Sequence, residues 1–353
     1  MADQDKQDKL ERLRQLYGQA GGSDMHDAHF QHIANMIFSD GDRRSPPYAG
    51  VPALLDAPIR PYDGTKNSLA DLDVALFGIP MDLGVTNRNG ARFGPRALRT
   101  IERIGPYNDV LRCAPVHEMA VADIGDVPME SRFDLKQSHQ DIYEFTQRVL
   151  ADGVIPVSVG GDHSVTHPVL KAIGAKTPVG MVHIDAHCDT GGPYEGEKFH
   201  HGGPFRNAVL DGVLDPERTI QIGIRGNAEY IWEFSEASGM TVIRAHEINQ
   251  IGLEGVIAKA REVVGDMPFY LTFDVDGLDP VFAPGTGTPE VGGLSSREAL
   301  AIVRGMAGAN IIGGDVVEVA PQYDPTTNTA HVAAQMLFEI LSLIQLNPKR
   351  GTK

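Results

Sequence analysis

From residue 72 onward the chain alternates short apolar runs with stretches long enough for a helix. The runs lie at 72–80, 154–161, 179–185, 219–224, 240–243, 269–276 and 310–319. Continuous apolar runs of this length predict strands buried on both faces. Between many of them lie helix-length stretches at 134–150, 255–264, 296–307 and 329–344. Strand, helix, strand over this span predicts a parallel sheet covered on both sides, with its ligand site at the carboxyl ends of the strands. Ahead of it, Leu10, Leu13, Leu16 and Tyr17 recur at helical spacing and predict a short amphipathic helix. A polar stretch and a proline-marked segment from Arg43 to Pro61 follow. Residues 1–65 therefore read as an N-terminal arm serving packing or assembly, and residues 66–353 as a single domain.

Composition narrows the class. With 42% hydrophobic and 22% charged residues the chain is an ordinary globular mix, which argues against disorder or a fibrous repeat. Its 31 Lys and Arg against 47 Asp and Glu leave a net charge of −16, which repels nucleic acid and anionic membranes and favours a cationic ligand. Two cysteines, Cys113 and Cys188, make no disulfide framework and point to a reducing compartment. No stretch reaches the ~20 apolar residues of a membrane span, and the N-terminus lacks a signal-peptide core. The expectation is a soluble, cytoplasmic protein.

The strand ends are unusually polar. One run empties into Gly160-Gly161-Asp162-His163-Ser164, the next into Asp185-Ala186-His187-Cys188-Asp189-Thr190, a later one into Asp274-Val275-Asp276. In extended backbone, residues two apart share a side, so Asp185, His187 and Asp189 converge, as do Asp274 and Asp276. Alone, an Asp-x-Asp at a strand end commonly caps a turn. Massed carboxylates repel one another, and two divalent cations resolve that repulsion. Oxygen ligands with a minority of imidazole suit Mn²⁺, with Ni²⁺ or Co²⁺ as alternatives. Paired metals activate a shared water near neutral pH.

These motifs resemble the ureohydrolase family, which includes arginase, agmatinase and related amidinohydrolases. The likeness covers roughly residues 70–345: the segments 160–164 and 185–190, the block 273–298, and a weaker one at 90–99. The resemblance implies a three-layer α/β/α sandwich on a parallel sheet of about eight strands, and hydrolysis of a guanidino group to urea and an amine. It also implies two metal positions: one held by His163, Asp185, Asp189 and Asp274, the other by His187, Asp185, Asp274 and Asp276. His201 matches the family's proton-shuttling histidine, with His200 as competitor. Glu298, after Gly292-Gly293-Leu294, matches an acid that pairs with the substrate's guanidinium, and Asp189 also takes a hydrogen bond from the reacting centre.

Other residues receive lesser roles. His167 reads as a network residue and Cys188 as packing away from the metals. Asp315 and Glu318 read as hydrogen-bonding support on the last strand. The segment 190–194 lacks the pattern by which arginases hold an amino-acid end, so arginine is not the expected substrate. The closer likeness is to the agmatinase-like branch around proclavaminate amidinohydrolase. The loop at 84–90 is expected near the pocket, and its Asn89, where agmatinases commonly have proline, speaks against agmatine itself. Tyr194 and Trp232 are candidates to close a small pocket around guanidine or a dimethylbiguanide. The family's habit implies a homo-oligomer, trimer or hexamer, or the active subunit of a heteromer with a paralogous chain. A metal-less partner subunit and the single-zinc deacetylase branch are the rival readings; the full ligand set opposes both.

Overall fold

The computed structural model describes residues 2–18, 25–37, 50–102, 104–226 and 229–350. The opening of the proline-marked segment, residues 43–49, lies outside them. The chain divides into two compact units, Met1–Gly50 and Val51–Lys353. The first holds helix α1 (Ala2–Tyr17), where an amphipathic helix is expected, and α2 (Ala28–Ile37). Residues 51–65, expected in the arm, belong to the larger unit: Leu54, Leu55 and Ala57 are buried in its core.

The larger unit is built on one eight-stranded parallel sheet. Its strands are β1 (Val74–Gly78), β2 (Val121–Asp126), β3 (Ile155–Val159), β4 (Val179–Ile184), β5 (Leu214–Ile224), β6 (Thr241–Arg244), β7 (Phe269–Asp274) and β8 (Ile311–Val317). Their order across the sheet is β2-β1-β3-β8-β7-β4-β5-β6. All seven expected runs form strands; β2 is additional. Along β1 the side chains alternate between two apolar layers, Val74 and Leu76 into one, Ala75 and Phe77 into the other. This is why the runs read as continuously apolar: both faces are dry.

On the Val74 face pack α3 (Gly94–Arg99), α4 (Pro115–Glu118), α9 (Ala245–Val264), α10 (Ser296–Arg304) and the long α11 (Asn328–Gln345). On the Phe77 face pack α5 (Leu135–Ala151), α6 (Thr166–Ile173) and α7 (Pro204–Leu210), while α8 (Glu233–Ser238) lies against β5 and β6. Asp134 caps α5 by accepting from Gln137 N–H at 3.0 Å. Helix α9 begins ten residues ahead of the expected 255, because Gly252 at φ 74° interrupts its helical period. Among the described residues no helix is long and apolar enough to cross a membrane.

Candidate functional site

Four strands adjacent in the sheet, β3, β8, β7 and β4, deliver their carboxyl ends to one place. After β3 the chain turns at Gly161, where a Cβ would sit 1.6 Å from the Met81 carbonyl oxygen, so only glycine passes. Asp162 caps the turn through Ser164 N–H at 2.9 Å and sets His163 over the sheet's end. After β4 the backbone leaves the extended form at Asp185, whose Oδ1 accepts from His187 N–H at 2.6 Å. After β7, Asp274 accepts from Asp276 N–H at 2.8 Å across a one-turn helix. Strand parity therefore does not bring these side chains together, contrary to expectation. Carboxylate-capped turns beyond the strand ends do.

The six expected ligands form one cluster, buried except for the partly exposed His187. His163 Nδ1 lies 3.0 Å from Asp185 Oδ2, 3.0 Å from Asp189 Oδ2 and 3.2 Å from Asp274 Oδ2. Among the described residues this Nδ1 has no aligned hydrogen-bond partner, while Nε2 meets Thr272 Oγ1 at 2.8 Å. His187 Nδ1 lies 3.1 Å from Asp276 Oδ2 and 3.4 Å from Asp185 Oδ1. The Asp185 carboxylate thus stands between the two imidazoles. Burial, with Asp276 and Asp185 beside it, pushes the Asp274 carboxyl well above its ordinary range. A buried imidazole nitrogen facing three carboxylates is a donor set fit for a divalent cation.

His183, unassigned from the sequence, completes this arrangement. Gln221 Nε2 donates to His183 Nδ1 at 3.1 Å and to the Cys188 carbonyl at 2.6 Å. That leaves the His183 proton on Nε2, which donates to Asp185 Oδ2 at 2.7 Å. The signal for it was present in the sequence, since it stands two positions before Asp185 on the strand.

Beside the cluster opens a cleft of about 210 Å³ lined by Thr86, His187, Asp189, His201, Asp274, Asp276, Ile231, Thr288 and Glu318. His201 Nδ1 meets Glu318 Oε1 at 2.9 Å, and its Nε2 meets Thr86 Oγ1 at 2.7 Å. The loop at 84–90 does reach the pocket. Glu318 Oε1 also accepts from His163 N–H at 2.9 Å, whereas its buried Oε2 has no hydrogen-bond partner among the described residues. Glu318 and Asp189 sit at φ 65° and 51°, a conformation non-glycine residues adopt at a cost and often at functional sites.

Glu298 is a correction. Its carboxylate accepts from Ser295 N–H at 2.8 Å and Ser295 Oγ–H at 2.7 Å, closing a capping box at the start of α10. It does not line the cleft; Glu318 does. Trp232 is a second correction, buried with Cys188 and Ile224 while Ile231 takes the cleft wall. Tyr194 is 52% exposed and stands off the cleft beside His200. His200 is buried, its Nε2 bonded to the Gly192 carbonyl at 2.8 Å. His167 pairs with Asp211 at 3.0 Å, and Asp315 accepts from Thr166 and Tyr270 hydroxyls, both away from the cleft. A larger cavity of about 510 Å³ opens at the opposite ends of the strands beside Asp73, Ile155 and Ile311, remote from this chemistry.

Fold and cleft together define a hydrolase built on an arginase-like α/β sandwich. The family model described as the arginase family matches residues 72–342, and the chain belongs to that family. It is 46% identical over 310 residues to guanidinopropionase of Pseudomonas aeruginosa, covering 87% of this chain and 95% of that one. To the mitochondrial agmatinase of Gallus gallus it is 44% identical over 303 residues, 84% and 86% of the two chains. Proclavaminate amidino hydrolase from Streptomyces clavuligerus superposes with a TM-score of 0.77 at 34% identity, covering 85% of this chain and 98% of that one. The chain is thus a hydrolase of the arginase family.

Proposed function

We propose that the cleft holds two divalent cations and hydrolyses a compact guanidino compound to urea and an amine. His163, Asp185, Asp189 and Asp274 hold one cation, and His187, Asp185, Asp274 and Asp276 the other, with Asp185 and Asp274 shared. The buried Nδ1 of His163, facing three carboxylates with no aligned hydrogen bond among the described residues, supports this set. Bound there, such a pair supplies a water made nucleophilic near neutral pH and Lewis acidity at the reacting carbon.

The chain's own groups do the rest. The observation that carries the reading is Glu318 in the cleft wall, whose second carboxylate oxygen, Oε2, has no hydrogen-bond partner among the described residues. It accepts an N–H of the substrate's guanidinium and orients the carbon toward the cluster. His201, held at Nδ1 by Glu318, delivers a proton from Nε2 to the departing nitrogen; that atom meets the Thr86 hydroxyl at 2.7 Å and accepts from the Thr86 N–H at 3.2 Å, a bond it gives up when protonated. Asp189, on the cleft wall, accepts a hydrogen bond from the reacting centre.

A volume below the ~300–1,000 Å³ usual for drug-sized ligands favours a small substrate: a short guanidino acid or amine, guanidine, or a dimethylbiguanide. Mn²⁺ or Ni²⁺ fits the donors. A cytoplasmic trimer or hexamer, alone or with a paralogous subunit, belongs to the same reading; the two buried, unbridged cysteines support a reducing compartment. The test is urea release from 3-guanidinopropionate, 4-guanidinobutyrate, agmatine, arginine, guanidine and dimethylbiguanide, by protein loaded with each metal. Turnover of one or more compact members and little of arginine is expected. Turnover of arginine alone overturns the substrate reading.

A further inference from the structure

The strand β5 ends in an arginine that no ligand motif includes. The main-chain N–H of Arg225 donates to the Ala186 carbonyl at 2.8 Å, the residue between Asp185 and His187. Among the described residues its guanidinium donates to main-chain carbonyls alone. Nη2 reaches Asp276 O at 2.7 Å, Glu290 O at 2.8 Å and Leu278 O at 3.1 Å. Nη1 reaches Gly223 O at 3.0 Å and Gly277 O at 3.2 Å, and Nε reaches Glu290 O at 3.3 Å. A Cβ at Gly293 would lie 2.4 Å from Nη2, so a glycine there leaves the guanidinium its seat.

These carbonyls are not scattered. Residues 276–278 carry Asp276, whose Oδ1 accepts from Ala186 N–H at 3.1 Å and whose Oδ2 faces His187. Glu290 Oε1 lies 3.8 Å from His187 Nε2, the ring nitrogen turned away from the cluster. Arg225 thereby ties together the turn bearing Asp276, the turn bearing Asp185 and His187, and the loop whose acid faces the far side of His187. Among the described residues none of its hydrogen bonds goes to the segment bearing His163. We infer that Arg225 is the positioning residue for the unshared ligands of the second cation, His187 and Asp276. This rests on the ligand assignment proposed above.

A planar fork with five N–H donors can hold carbonyls on three segments at once; an ammonium offers three donors from one point. Loss of an outer partner of metal ligands typically weakens binding ~10–100-fold. Equilibrium dialysis of Mn²⁺ with elemental analysis, on full-length wild type, Arg225→Gln and Arg225→Lys, reads both binding steps. The first step is expected to stay near the wild-type value. The second is expected to weaken by ~10–100-fold in Arg225→Gln and by less in Arg225→Lys, with urea release recovering at high Mn²⁺. The lysine variant keeps the test readable if the glutamine one does not fold. Two wild-type steps in both variants, or equal weakening of both steps, overturns the role of Arg225. Fewer than two Mn²⁺ on the wild type overturns the ligand assignment itself.

Discussion

Replacing Glu318 by glutamine takes one negative charge from the cleft and leaves its shape almost unchanged. The oxygen that accepts from His163 N–H and from His201 Nδ1, both at 2.9 Å, has an amide counterpart able to accept the same bonds. Burial on its own lowers the His201 pKa. The charge and hydrogen bond of Glu318, helped by Asp162 and Asp189, outweigh it and raise it from 6.5 to about 9. At about 1.4 kcal/mol per pH unit that difference is worth about 3 kcal/mol. Because the folded value is raised, the contribution is complete below about pH 6.5 and is lost as pH climbs through about 9. Denaturant unfolding of metal-free wild type and Glu318→Gln should therefore show a gap of roughly 3 kcal/mol at pH 6, shrinking steeply by pH 9.5. In the metal-loaded enzyme the lost charged hydrogen bond should lower kcat/KM by about 10- to 100-fold. A gap unchanged between the two pH values, or a variant with full kcat/KM, refutes the pairing and the role drawn from it.

Other substitutions separate the parts of the site. Asp274→Ala should abolish urea release and lower bound metal, since both positions share that carboxylate; unchanged metal by elemental analysis would show the ligand set to be wrong. His201→Ala should keep its metal and lose about 10²- to 10⁴-fold in kcat, read by elemental analysis and steady-state kinetics. Glu298→Ala should cost about 1 kcal/mol of stability through the lost cap and leave kcat/KM near wild type, read by denaturant titration and steady-state kinetics. A large catalytic loss there would restore the role that the motif implied.

Much of this was legible before any coordinates. The apolar runs locate seven of the eight strands, and the rule that sites lie at carboxyl ends points to the cluster. The strand β2 was hidden because it stands at the sheet edge and carries Asp123 and Asp126. Asp123 is buried and bonded to Arg99 at 2.8 Å, so a polar residue interrupts the pattern for a local reason. Glu298 misled because a motif match outweighed a local signal: Ser295 three residues before it spells a capping box. Glu318 was undervalued although it closes the last apolar run as His163 follows the second. How a carboxylate in the cleft wall spends one oxygen on both His163 and His201 is set by three segments distant in the chain.

The central claim is that guanidino hydrolysis depends on two cations in the cleft at the ends of β3, β8, β7 and β4. Titrating Mn²⁺ into metal-free protein, with bound metal and urea release read on the same samples, tests it most directly. The account expects two Mn²⁺ per chain at saturation and urea release that rises with occupancy of the pair. Full urea release from metal-free protein, or saturation of activity with no metal retained, would contradict it.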